Sequence, residues 1–288
     1  MVNILKREKY KKEIIKHMNI IFYVTIFIIG ILFGSFYTLA VYRIPKRQDI
    51  THTHSYCPNC NHKLGFFDLI PVLSYIFLGA KCRYCKQKIR PRYFILEILS
   101  GLIFVGFAYA IKMNIYTINT QKIIEFCFIV LYLTFIILMA GIDKENRKVD
   151  KLVAIYGIVI SIMYMIYLCI VENANIYRYI IYLIAYIVIL IFDTITLKKY
   201  AKNKYVNGIL ISLITMVVFV GEYITANSII WTLLAISIYM LVIKIKQNKN
   251  RSMKNDKNIS NKISIGFYLG LTNTIMFLMA LLYSNYII

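Results

Sequence analysis

The 288-residue chain is too apolar to be a soluble globular protein. Apolar residues make up 60% of it against 16% charged residues, and the mean hydropathy is +0.66. A soluble domain of this composition would lack the polar surface needed to cover itself. The formal net charge of +21 could indicate a nucleic-acid partner. The cations, however, lie in short loops between apolar runs, which is typical of membrane topology signals. We therefore expect an all-α, polytopic membrane protein with the lipid bilayer as a partner and no nucleic acid.

The apolar residues fall into eight runs, each close to the length that crosses about 30 Å of hydrocarbon. They cover residues 19–42, 94–112, 122–142, 152–171, 176–197, 205–221, 226–245 and 263–287. We expect each run to form a transmembrane helix. A basic segment, residues 1–18, precedes the first run. No small-x-small cleavage site follows that run, so we expect the segment to be retained.

Residues 43–93 form an insert between the first two runs and carry a strong positive charge. Ten Lys or Arg residues and two Asp residues lie between Arg43 and Arg92, which predicts a cytosolic insert by the positive-inside bias. The basic loops 143–151, 198–204 and 246–262 then fall on the same side. The basic N-terminus falls on the other side against the bias, so its location stays open. Residues 94–288 are expected to form a helical membrane domain.

Two Cys-x-x-Cys pairs in the insert carry the strongest chemical signal. Cys57 and Cys60 form the first pair, and Cys82 and Cys85 form the second. Each pair can supply two corners of a tetrahedral zinc site, and four thiolates leave no open position. A cytosolic location keeps such thiols reduced. The pattern therefore predicts a structural Zn²⁺ site, with His62 as a less favoured competing ligand. Cys127 and Cys169, inside apolar runs, are expected to be packing residues.

Carboxylates in or beside hydrocarbon are candidates for function because burying their charge is costly. Asp143 ends the third apolar run, and Asp193 lies near the end of the fifth, at a similar expected depth. Glu97 and Asp150 lie at the starts of runs, where an ordinary interfacial role is favoured. Two converging carboxyl groups are what an aspartic peptidase requires: one takes a proton from water, and the other polarises the scissile carbonyl. Asp143 with Asp193 is the predicted pair.

Several motifs together resemble the bacterial type IV prepilin peptidases. The stretch from Gly34 to Pro45 reads G-S-F-Y-T-L-A-V-Y-R-I-P, close to that family's G-S-F-x-N-V-x-I-Y-R-x-P. The cysteine insert, with I-P-V-L-S-Y from Ile70 and E-I-L-S-G from Glu97, is also similar to the family. Asp143 resembles its first catalytic aspartate, although Val149 before Asp150 replaces a proline. The stretch Ile263 to Leu269 resembles I-P-F-G-P-F-L with both prolines replaced.

The second catalytic aspartate of that family belongs to a G-x-G-D motif, and here the matching position holds Asn207 without either glycine. Asparagine cannot ionise and cannot act as the base. Three interpretations stay open. Asp143 acts with another carboxylate, either Asp193 or Asp150; peptidase activity is lost and methyl transfer or an assembly role remains; or the alignment at Asn207 is wrong.

The resemblance implies a multi-pass enzyme of the bacterial inner (cytoplasmic) membrane. It would be a prepilin leader peptidase, an aspartic endopeptidase that cleaves the leader of a prepilin or pseudopilin at the cytosolic membrane face. It would then methylate the new N-terminus with S-adenosylmethionine as the cofactor. Residues 94–288 would be the peptidase-like part. The alternative is a catalytically impaired member that acts as a pilus or secretion assembly factor.

Overall fold

The computed structural model describes residues 2–172, 174–196, 201–249 and 263–287. Within these ranges the protein is all-α and forms no strand beyond two isolated bridges. The α-helices are α1 (Val2–Arg43), α2 (Leu73–Phe77), α3 (Arg92–Ala110), α4 (Thr120–Asn146), α5 (Lys151–Val171), α6 (Ile176–Thr196), α7 (Ala201–Val220), α8 (Glu222–Lys249) and α9 (Ile265–Ile287).

Each of the eight apolar runs corresponds to one long helix, so the prediction of a polytopic helical membrane protein is confirmed. Among the described residues, six helices are long and apolar enough to cross a membrane. The stretches Ile176–Phe192 and Tyr205–Val220 are apolar but shorter. Helix α1 begins at Val2, so residues 2–18 of the basic segment continue directly into the first apolar run as one helix.

The chain divides into two compact units, Met1–Cys127 and Phe128–Ile288. In the first unit, α1 packs closely against α3 through small residues. A methyl group on Gly34 would lie 2.8 Å from the Glu97 Cα, and one on Gly101 would lie 2.7 Å from the Phe27 ring. Helices in lipid associate by such close backbone approach. The packing of α1 against α3 thereby brings together the two ends of the insert. In the structure the insert comprises residues 44–91, between the end of α1 and the start of α3.

The second unit, from Phe128 onward, buries polar side chains between its helices. The Tyr132 hydroxyl donates to Asn273 Oδ1 at 2.5 Å, and the Asn273 amide donates to Ser228 Oγ at 3.2 Å. The Tyr186 hydroxyl donates to Ser161 Oγ at 3.0 Å. Because the hydrocarbon core has no water to satisfy polar groups, such pairs hold neighbouring helices in register.

Candidate functional site

The four cysteines of the insert converge in space. The Sγ atoms of Cys57, Cys60, Cys82 and Cys85 all lie within 4.8 Å of one another. The Cys57 and Cys85 sulfurs are 3.8 Å apart, which equals the edge of about 3.8 Å that a tetrahedron with Zn–S bonds of about 2.3 Å requires. The donor set is compatible with a zinc ion in a closed, four-thiolate site.

Two backbone turns of the same form present these sulfurs. In the first, Cys57 N donates to His62 O at 3.0 Å, and Asn61 has a φ of 55°. In the second, Cys82 N donates to Gln87 O at 2.9 Å, and Lys86 has a φ of 58°. Each turn therefore folds back on its own cysteine pair, as the short C-x-x-C spacing predicts.

The Cys85 and Cys60 thiols have different pKa values because their surroundings differ. The Gln87 backbone N–H and the Asn59 amide lower the pKa of Cys85 to about 6, so a thiolate is present there at neutral pH. At Cys60 the His62 backbone N–H lowers the pKa, but desolvation and the neighbouring thiols outweigh it and raise the pKa to about 11. Metal binding must displace such protons.

The His62 side chain packs against an aromatic ring. Its ring centroid lies 3.5 Å from that of Tyr84, and its backbone carbonyl closes the first cysteine turn. The group of potential metal ligands in the described residues comprises the four cysteines without His62.

Two motif residues fasten the insert to the helices. Arg43, buried at the end of α1, donates to the Asp49, Thr53 and His54 backbone carbonyls at 2.9 to 3.2 Å. Glu97, only 8% exposed on α3, accepts from Val72 N at 2.7 Å. Val72 has a φ of 62°, a conformation that β-branched residues rarely adopt. The Glu97 carboxylate therefore holds a constrained turn of the insert.

Asp143 forms the second site, inside the unit that starts at Phe128. Its side chain is fully buried at the end of α4. Oδ2 accepts from the Tyr205 hydroxyl and from Phe267 N, each at 3.2 Å, and the Gly266 N–H also points to the carboxylate. The amides belong to the first turn of α9, which favours an anion. Oδ1 is buried and has no hydrogen-bond partner among the described residues.

The sequence patterns did not indicate Tyr205 as part of this site. Its hydroxyl donates to Asp143 Oδ2 and accepts from Ile265 N at 3.1 Å. Tyr205 thus joins the ends of α4, α7 and α9. The glycine of the I-S-I-G-F stretch could have indicated that α9 approaches another helix closely. A methyl group on Gly266 would lie 3.1 Å from Asp143 Oδ2.

The other predicted acids have different positions. Asp150 is the N-cap of α5 and accepts from Leu152 N at 3.0 Å, a structural role that the sequence patterns did not specify. Asp193 lies in α6, but its side chain is outside the described residues, so its approach to Asp143 stays a prediction. Asn207 is buried in α7. The next residue, Gly208, packs tightly: a methyl group added to it would lie 2.5 Å from the Val149 Cβ.

Comparison with known proteins concerns mainly the first unit. Residues 28–111 match the family described as Bacterial Peptidase A24 N-terminal domain. The Prepilin leader peptidase/N-methyltransferase of Myxococcus xanthus is 40% identical over 84 residues, 29% of this chain and 25% of that protein. The protein of that name from Vibrio cholerae is 31% identical over 123 residues, 40% of this chain and 46% of that protein. No solved structure matches.

The chain spans less than half the length of these curated relatives. The matched residues nevertheless include the Gly34 to Pro45 motif, both cysteine pairs and Glu97, whose contacts build the insert and its attachment. Residues 28–111 of this chain are therefore similar to the N-terminal domain of bacterial A24 peptidases, and the chain is similar over part of its length to proteins named prepilin leader peptidase/N-methyltransferase.

Proposed function

We propose that this protein is a membrane aspartic peptidase that removes the leader from prepilins or pseudopilins, with Asp143 as one catalytic carboxylate. The observation that carries the proposal is that the two oxygens of this carboxylate have different surroundings. Oδ2 is fixed by Tyr205 and the first turn of α9, whereas Oδ1 has no described partner. A buried acid with one oriented oxygen and one available oxygen suits the binding of an attacking water.

A second carboxyl group is needed to polarise the scissile carbonyl, and we propose Asp193 for that role. Helix α6 carries it near its C-terminal end. Asp150 is less suited because its carboxylate already caps α5. Asn207 could donate a hydrogen bond to a carbonyl but could not exchange a proton with it.

The zinc ion and the methyl donor have separate proposed roles. Zn²⁺ would be held by Cys57, Cys60, Cys82 and Cys85 and would fix the two turns of the insert. Methyl transfer from S-adenosylmethionine to the new N-terminus is proposed because the relatives are named N-methyltransferases. The sequence has no glycine-rich loop of the soluble methyltransferase type, and leader cleavage as proposed does not depend on the donor.

A second function, a non-catalytic assembly factor for a pilus or secretion system, is favoured by one observation. The hydrogen-bond donors to Asp143 in the described residues are a phenol and backbone amides, a set that also suits a purely structural anchor for α9. This function would use the insert for docking and would leave the leader intact.

Incubation with substrate separates the two functions. The purified, zinc-loaded protein is reconstituted in vesicles of bacterial inner-membrane lipids with a prepilin. We expect mass spectrometry to show mature pilin and released leader. Intact prepilin that stays bound to the protein would support the assembly function instead.

A further inference from the structure

The insert exposes a set of large apolar side chains that the proposed peptidase function does not use. We call them the insert patch: Phe66, Phe67, Leu73, Ile76 and Phe77, with exposed fractions of 77%, 73%, 49%, 57% and 82%. They lie on and around α2, and all of them except Ile76 line a cleft of about 520 Å³. Contiguous exposed aromatic residues of this kind usually mark an interaction surface.

Contacts with α3 place this segment at the depth of the membrane surface. Val72, next to the patch, donates its N–H to Glu97, and the Tyr75 ring stacks on Phe94 with centroids 5.0 Å apart. Helix α3 has 19 residues, which is about 28 Å at 1.5 Å per residue. It therefore needs nearly its whole length to cross about 30 Å of hydrocarbon.

The contact with Glu97 fixes that depth more closely. Glu97 lies five residues into α3, which is about 7.5 Å along the helix. Its side chain points back toward the start of the helix, so Val72 lies between the level of Glu97 and the start of α3. Helices that lie in the membrane interface bury their apolar faces to a depth of about 5–10 Å. The patch is thus held at the level where headgroups meet acyl chains.

The charge of the insert indicates which surface the patch meets. Exposed cations flank it along the chain: Lys63, Lys81, Lys86, Lys88 and Arg90. The nearby acid, Asp68, is neutralised by Arg83 through a 2.7 Å bond. Desolvation opposes ionisation of Asp68, but this bond and the Gly65 N–H outweigh it and lower its pKa. An apolar patch flanked in the sequence by exposed lysines complements anionic lipid headgroups.

We propose that the insert patch is a membrane anchor, which inserts its aromatic side chains into the interfacial layer of an anionic phospholipid leaflet beside α3. The anchor orients the cysteine turns against the bilayer through Val72 and Tyr75. The proposal needs only the geometry of the first unit and holds whether or not the protein is a peptidase.

Depth-dependent fluorescence quenching tests the anchor in the full-length, zinc-loaded protein. The chain has one tryptophan, Trp231, so Phe77→Trp in a Trp231→Phe background gives a single probe in the patch. The protein is reconstituted in vesicles of phosphatidylglycerol and phosphatidylcholine brominated at defined acyl positions. We expect emission at shorter wavelength than in water, and strongest quenching by bromines close to the headgroup.

Controls keep the test decisive. Wild-type Trp231, 51% exposed on α8, reports quenching on a long apolar helix, and Phe66→Trp repeats the measurement at a second patch position. Lys81→Gln, Lys86→Gln and Lys88→Gln together, or vesicles of phosphatidylcholine alone, should reduce the shallow quenching.

Two outcomes would overturn the proposal. One is water-like emission that aqueous iodide quenches and brominated lipid does not. The other is an emission shift that occurs only after a prepilin is added, which would make the patch a protein-docking surface.

Discussion

The Asp143 carboxylate connects three helices of the second unit. Three donors from α7 and α9 converge on it, and one of them, the Tyr205 hydroxyl, also accepts from α9. Helix α9 follows residues 250–262, which are outside the described ranges. Among the described residues, the ends of α4 and α9 are joined by hydrogen bonds of the Asp143 and Tyr205 side chains.

Replacing Asp143 should separate its structural role from its chemical one. Asp143→Ala leaves the Tyr205 hydroxyl and the α9 amides without an acceptor and should cost about 2–3 kcal/mol of unfolding free energy. Asp143→Asn keeps an oxygen for these donors and should cost less than half as much. Thermal unfolding in detergent measures both variants, with Tyr205→Phe as a control that removes one donor. Equal losses for Ala and Asn would contradict the anchoring role.

Residue-level prediction from sequence succeeded where local spacing determines the geometry. The C-x-x-C pairs fold into turns that use only neighbouring backbone groups, so the form of each turn was predictable. The convergence of the two turns was predictable from chemistry instead, because a closed zinc site needs four ligands. Tyr205 was not, because its contact with Asp143 joins positions 62 residues apart. Such contacts depend on how helices pack, which residue spacing does not encode.

At the scale of elements, the α1 and α3 pair holds the insert. Gly34 contacts α3 at Glu97, and Glu97 in turn binds the Val72 turn. A change in the distance between α1 and α3 should therefore displace the Val72 turn of the insert.

Gly34→Val tests this coupling. Its side chain cannot fit 2.8 Å from the Glu97 Cα without separating the helices, a change that typically costs about 1–3 kcal/mol in a packed core. We expect faster trypsin cleavage within residues 63–90 of the variant in vesicles. Phe36→Val, at an exposed position of the same helix, is the control and should behave as the wild type. Unchanged cleavage in Gly34→Val would argue against the coupling.

Metal removal tests the cysteine turns as an element. We expect one zinc ion per chain, lost with a chelator or in Cys82→Ser, together with local opening of the insert, because structural zinc supplies folding energy. The helices should persist, since their backbone bonds are internal. Metal analysis, limited proteolysis and far-ultraviolet circular dichroism report these changes. Cys169→Ser, within α5, is the matched control. Full zinc occupancy in Cys82→Ser would contradict the assignment.

The long helices were predictable because hydrocarbon forces any spanning segment to bond its own backbone. The residues at which these helices begin and end were less predictable. Helix α1 begins at Val2 rather than near residue 19, since charged residues in water do not end a helix. Helix α2 was not predicted, because five residues are too few to show a helical period.

At the scale of the whole molecule, the family-model match and the candidate chemistry lie in different units. The matched region ends at residue 111, whereas Asp143, Tyr205 and α9 lie in the unit from Phe128 onward. The proposal that the chain cleaves prepilins therefore depends on whether the second unit supplies two working carboxyl groups.

Parallel asparagine variants identify the second group. If Asp193 is the partner, Asp193→Asn should reduce cleavage as severely as Asp143→Asn, by about 10²-fold or more, which is typical of an essential acid or base. Asp150→Asn should retain most activity, since asparagine is also a good N-cap. Initial rates with a prepilin in vesicles compare the three. Severe loss in Asp150→Asn alone would reassign the role.

The central claim is that Asp143 takes part in removing a prepilin leader, and the mass of the pilin tests it most directly. Prepilin is expressed with this chain, wild-type or Asp143→Asn, in cells that lack other prepilin peptidases. We predict leaderless pilin with the wild type and full-length prepilin with the variant, at equal membrane levels of the two proteins. Full-length prepilin with both, or equal processing by both, would contradict the claim.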